Sequence, residues 1–153
     1  VSYDVEKDWT TEAGLRAVVI WVRDSHRCGY VGVPAGHPLF GIQYSQPCVA
    51  LMRPAEDETI GKRSPLALLC AAGDEHRMQA PEIVFDVHGG ITYSNGTADY
   101  PVPSALWWFG FDCAHSGDRS HGGTDGVMRS LDYCIAECES LASQIVAKTT
   151  LPA

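Results

Sequence analysis

Arg16-Ala17-Val18-Val19-Ile20-Trp21-Val22-Arg23, then Asp24-Ser25-His26-Arg27, then Cys28-Gly29-Tyr30-Val31-Gly32-Val33 is the stretch that decides the fold. Its first run is β-branched and apolar at consecutive positions, which predicts a central strand buried on both faces. The residues from Asp24 to Arg27 read as a turn. The third run follows too closely for a crossover connection, so the two strands pair antiparallel. Glycines inside the second strand mark places where backbone or ligand approaches closely.

Working outward, Glu82-Ile83-Val84-Phe85-Asp86-Val87-His88 alternates, which predicts a strand with Ile83, Phe85 and Val87 towards the core and Asp86 and His88 facing away. If that strand continues, Gly90, Thr92 and Ser94 share the face of His88. If Gly89-Gly90 is instead a hairpin turn, the register breaks there. A further strand runs from Ala105 to Asp112. Parity puts Trp107, Phe109, Phe111 and Cys113 on one face and Trp108, Gly110 and Asp112 on the other. An amphipathic helix from about Leu131 to Ala147 closes the chain, with Ser130 as its N-cap and Cys134, Cys138, Leu141 and Ile145 as its apolar stripe. In the middle, Ser64-Pro65 ahead of a Leu- and Ala-rich run ending at Gly73 predicts a short buried helix. Residues Val1 to Gly14 read as a polar arm. Together these elements predict one compact α+β domain over residues 1–153, a mainly antiparallel sheet covered on one face by the C-terminal helix and the short middle helix.

The 153 residues carry a formal charge of −8, with 45% hydrophobic and 20% charged residues. That composition is ordinary for a globular chain, and its sign disfavours nucleic-acid polymers and anionic membranes, for which no Lys/Arg run provides a local patch. No apolar stretch is long enough to span a bilayer. The six cysteines are spread through apolar context, which favours reduced thiols in a cytoplasmic protein over a disulfide framework. Cys134 and Cys138 read as small core residues. His26, Cys28, His37, His88, Cys113 and His115 match no standard zinc module, so no metal site is assigned, and the sequence implies no particular cofactor.

Chemistry concentrates where the apolar run Trp107 to Phe111 breaks into Asp112-Cys113-Ala114-His115-Ser116-Gly117-Asp118. Asp112 and His115 stand at a spacing that lets a carboxylate orient an imidazole, and His88 precedes two glycines whose amides can approach a ligand. Parity sends Cys113 to the core. If Asp86, His88, Thr92 and Ser94 share a surface with Trp108 and Asp112, they form a polar pocket floor with one aromatic wall. The candidate catalytic residues are thus His88, Asp112 and His115. Candidate ligand contacts are Gly89, Gly90, Thr92, Tyr93, Ser94, Trp108, Asp118, His26 and His37, with Trp108 or Tyr93 stacking on a flat group. Arg23, Arg27, Arg119 and Arg129 are the cations near enough in sequence to meet a phosphate.

His26-Arg27-Cys28-Gly29-Tyr30-Val31-Gly32-Val33-Pro34 with Gly36-His37-Pro38, Val87-His88-Gly89-Gly90-Ile91-Thr92-Tyr93-Ser94, and Trp107-Trp108-Phe109-Gly110-Phe111-Asp112-Cys113-Ala114-His115 with Asp118 resemble a family of uncharacterised small phage and prophage proteins. The segment Tyr133 to Gln144, with Arg129, resembles that family's last helix, whereas Pro54 to Ala80 departs from the pattern. The resemblance implies a phage setting, and by analogy of setting a role against host immunity, without an activity to transfer. Three functions follow as expectations. The first is capture of a nucleotide-derived immune signal or related small metabolite. The second is a phosphodiesterase-like hydrolase using His88 and His115 as acid and base with Asp112 as orienter. The third is inhibition of a host protein through an acidic surface such as Glu56 to Glu58. Homo-oligomerisation is left open.

Overall fold

The computed structural model describes residues 2–53, 77–115, 118 and 126–149. In chain order the elements are β1 (Tyr3–Thr10), β2 (Arg16–Val22), β3 (His26–Val33), β4 (Cys48–Met52), β5 (Met78–Gln79), α1 (Pro81–Val84), β6 (Tyr93–Asn95), β7 (Trp107–Asp112) and α2 (Leu131–Thr149). Five strands form an antiparallel sheet in the order β1-β2-β3-β7-β6, and β4 and β5 pair separately. The architecture is mixed α and β, as the hydrophobic patterning predicts. The expected middle helix over Ser64 to Gly73 and the acidic stretch Glu56 to Glu58 lie outside the described residues, as do Cys70, Arg119 and His121.

The β2–β3 hairpin forms as expected, with Arg16 opposite Gly32 and Val22 opposite His26. Ala17, Val18, Val19 and Ile20 are all fully buried, because both faces of the sheet are covered. On one face lies the main core, where Val19, Val31, Phe109, Phe111 and Cys113 meet Cys134, Cys138, Leu141, Ala142 and Ile145 of α2. Ser130 caps that helix, its Oγ accepting from the Tyr133 amide at 3.1 Å. Among the described residues no helix is long and apolar enough to cross a membrane.

The opposite face corrects the expected polar floor. Val18, Ile20, Cys28, Tyr30, Val102 and Trp108 form a second apolar cluster, with Tyr3, Val22, Tyr93, Tyr100 and Leu106 packed on it. Trp108 does lie on the side that parity gives it, but it is fully buried, and its indole donates to Ser104 Oγ at 3.0 Å. Side-chain alternation fixes which side of a sheet a residue occupies, not whether that side meets water. Gly29 and Gly32 admit core side chains rather than a ligand. A Cβ at Gly29 would sit 2.4 Å from the Phe111 ring, and one at Gly32 would sit 2.8 Å from Leu106.

Two further elements differ from expectation. Residues 3–10 are not an arm but the edge strand β1, whose polar look comes from ion pairs along the sheet: Asp4 with Arg23, Asp8 with Arg16 and Glu6 with Arg27. Charges of this kind suit an edge, where they oppose pairing with another chain. Residues 82–88 are not a strand. Pro81 at the start of α1 fixes a helical φ, the single turn leaves Ile83 69% exposed, and only then do Phe85 and Val87 extend into the core.

Gly89 and Gly90, at φ +68° and +80°, then turn the chain, and the Gly90 amide donates to the Val87 carbonyl at 2.8 Å. Beyond the turn, β6 pairs with β7 so that Tyr93 faces Gly110 and Ser94 faces Phe109. Opposed residues of an antiparallel pair share a face, so Ser94 lies on the Phe109 side and Tyr93 on the Trp108 side. The continuous parity from His88 to Ser94 is therefore broken at the glycines.

Candidate functional site

The end of β7, the Gly89-Gly90 turn and the start of α2 meet at one corner of the sheet, and His88 is the centre of what they assemble. Its Nε2 lies 2.6 Å from Asp118 Oδ2, and its Nδ1 lies 2.7 Å from the Tyr133 hydroxyl. Its backbone amide donates to Glu137 Oε1 at 2.7 Å. Asp118 has a side chain only 1% exposed, and it accepts from Arg129 Nε at 2.7 Å and from the His115 amide at 3.2 Å. Arg129 in turn lies over the Tyr133 ring, 5.1 Å from its centroid, while its carbonyl accepts from Arg27 at 2.9 Å. The result is a continuous line, Arg129–Asp118–His88–Tyr133.

Protonation follows from this geometry. Burial is the largest influence on Asp118 and would raise its pKa, but the bonds from His88, Arg129 and the His115 amide together outweigh it and hold the carboxyl below its ordinary value. An ionised carboxylate only accepts, so His88 Nε2 carries a proton. In the neutral imidazole Nδ1 then accepts from the Tyr133 hydroxyl. Burial and the nearby Glu137 carboxylate raise the Tyr133 pKa, which keeps the phenol protonated at neutral pH.

His115 stands beside this line. Its ring centroid is 6.2 Å from that of His88, and it packs so closely on Gly89 that a Cβ there would lie 2.3 Å from the imidazole. Its Nε2 comes within 3.2 Å of Asp112 Oδ1 without hydrogen-bond alignment, leaving that buried nitrogen without a partner among the described residues. Asp112 is occupied otherwise: Oδ1 accepts from the Ala114 amide at 3.0 Å and Oδ2 from Thr92 at 3.3 Å, bonds that shape the exit from β7. Gly89→Ala therefore has two costs, a left-handed backbone without glycine and displacement of His115. The two together are expected to cost about 2–3 kcal/mol, read as a lower midpoint in urea unfolding.

The structure thus brings together His88, Gly89, Gly90, Thr92, Asp112, His115 and Asp118. It separates five other candidates. Trp108 is sealed in the second core, and Tyr93 packs edge-on against Tyr30 and Tyr100 at 5.3 and 5.7 Å. Ser94 Oγ donates to Gln43 and accepts from the Tyr44 amide. His26 takes Ser25 as its partner on the β2–β3 turn. His37 bonds Thr149, sixteen positions along α2 from Tyr133 and so about 24 Å away at helical rise. Burial lowers the His37 pKa.

Tyr133 and Glu137 are neighbours of His88 that strand patterning does not reveal, and Arg129 was only one of four candidate cations. A usable signal existed in the spacing of Tyr133 and Glu137, four apart and hence on one face of α2, with Arg129 just ahead of its first turn. Among the described residues no group of three or more His, Cys, Asp or Glu side chains is placed to hold a metal ion. The arrangement can orient a hydroxyl and hold polar groups of a small molecule. In comparisons with known proteins, no family model, no curated protein and no solved structure matches the chain.

Proposed function

We propose that this protein captures, without cleaving, a nucleotide-derived immune signal or a related small metabolite at the corner formed by His88, His115 and Tyr133. The observation that carries this reading is the double bonding of His88: with Nε2 on Asp118 and Nδ1 on the Tyr133 hydroxyl, its ring meets a ligand through Tyr133 rather than directly. His88 is then a positioning group. Tyr133 is the hydroxyl it presents, and His115, with a side chain 34% exposed, replaces Trp108 as the flat ring available to a base.

Each described arginine near the site already faces a carboxylate: Arg27 meets Glu6 and Arg129 meets Asp118. A phosphate would have to compete with those partners, so recognition rests on base and sugar groups more than on charge. The phage-type resemblance supplies the expected setting, and the free thiols of Cys28, Cys48, Cys113, Cys134 and Cys138 suit a reducing compartment such as the cytoplasm.

Incubating the protein with cyclic and ADP-ribose-type nucleotides, removing unbound material and denaturing it should release the ligand intact. Tyr133→Phe should weaken binding about tenfold, the value of one hydrogen bond to a ligand, and, by leaving His88 Nδ1 without its donor, should lower stability by about 1 kcal/mol while the variant stays folded. A hydrolase is the second reading, favoured by the carboxylate–imidazole–hydroxyl order of Asp118, His88 and Tyr133. Release of cleaved product that His88→Ala and His115→Ala both abolish would establish it and overturn simple capture.

A further inference from the structure

We propose that Cys113 and Cys134 form a latent thiol–disulfide site that takes hydrogen peroxide as its oxidant and, once oxidised, covalently joins the exit of β7 to the first turns of α2. The two sulfurs are 3.6 Å apart, face to face, and both residues are buried. A disulfide requires about 2.0 Å between them, so the chain must close a gap of about 1.6 Å. Cys113 lies just beyond the last residue of β7, where the ladder has ended and its amide is held by the Arg27 carbonyl at 3.0 Å. Cys134 occupies the fourth position of α2, next to Tyr133. The described cysteines elsewhere are placed differently. Cys28 belongs to the opposite face of the sheet, Cys48 points its thiol at the Gln79 carbonyl, and Cys138 packs against Gly29.

The chemistry balances in two steps. One thiolate attacks peroxide, forming an S–O bond as the O–O bond breaks, and hydroxide leaves to become water. The second thiol then displaces the sulfenic oxygen as another water, so the two thiols lose two protons and two electrons and the peroxide takes up both. Burial of both residues selects a small neutral oxidant over the much bulkier glutathione disulfide. The hydrogen bond with Cys134 and burial raise the Cys113 pKa, and the nearby Asp118 and Asp112 carboxylates add to the effect. Oxidation is accordingly slow at neutral pH and accelerates as the pH rises.

The site is independent of the ligand reading. The full-length protein, treated with peroxide at about pH 7 and about pH 9, then digested without reductant, should yield one Cys113–Cys134 linked peptide. That peptide should be lighter by two hydrogens, revert with dithiothreitol and form at least about fivefold faster at the higher pH. Cys113→Ser and Cys134→Ser should each eliminate it. Mapping the unmodified sequence keeps the outcome readable if either variant folds poorly. Sulfinic acid at Cys113 without a link, a link to another cysteine, unreacted thiols at about pH 9 or equally fast reaction with glutathione disulfide would each overturn the proposal.

Discussion

Trp108→Ala is expected to lower stability by about 4 kcal/mol, because it deletes the largest fully buried side chain and leaves a cavity that the surrounding rings cannot close. Val18, Ile20, Tyr30, Val102 and Leu106 surround the indole or its cluster, and Gly32 exists to let it approach. The indole N–H bond to Ser104 goes with it. Chemical unfolding measures the loss directly. The same variant separates two roles for the residue: a core tryptophan costs stability, whereas a stacking one would cost binding and leave the midpoint in place. The more conservative Trp108→Phe should lose less, since it keeps much of the apolar volume.

Asp118→Ala is the second large effect. It removes a carboxylate whose side chain is 1% exposed and abandons His88 and Arg129 to an apolar neighbour, with an expected loss of about 3 kcal/mol. Its pH dependence has a definite sign. The carboxyl titrates lower in the folded than in the unfolded chain, so its contribution is fully present above the unfolded value of about 4 and disappears as the pH falls through the folded one. The difference in stability between the unmodified protein and Asp118→Ala should therefore shrink on acidification below about pH 4. Equal differences at pH 7 and pH 3 would mean that the Asp118 carboxyl is not ionised as the geometry implies.

The parts of the fold legible in the sequence were those set by local patterning. The run Ala17 to Ile20 could only be buried on both faces, and the stripe Cys134, Cys138, Leu141 and Ile145 could only be one side of a helix. The edge strand β1 was obscured because its alternation is carried by charged residues whose partners lie on other strands. The Pro81 turn was obscured because a single helical turn has no periodicity to display.

At the site, His88 at the end of an expected strand and His115 and Asp118 in loop context were recognisable as reactive side chains. Their relations were only partly so: sequence spacing paired Asp112 with His115, which the fold keeps 3.2 Å apart, but could not show Asp118 bonded to His88 across 30 positions. Parity also could not reveal that Tyr3, Tyr93 and Tyr100 cover the face of Trp108, because those contacts come from distant segments. What covers a surface is a tertiary fact, and it decides whether a polar pocket exists there.

We propose that His88 positions Tyr133 for a ligand rather than reacting with one. The most direct test is titration of a nucleotide retained by the unmodified protein into Tyr133→Phe and Asp118→Asn, with the bound nucleotide then recovered and weighed by mass spectrometry. Binding at least about tenfold weaker in both folded variants, with intact nucleotide from the unmodified protein, is the expected result. Unchanged affinity in both variants, or recovery of cleaved nucleotide, would contradict it.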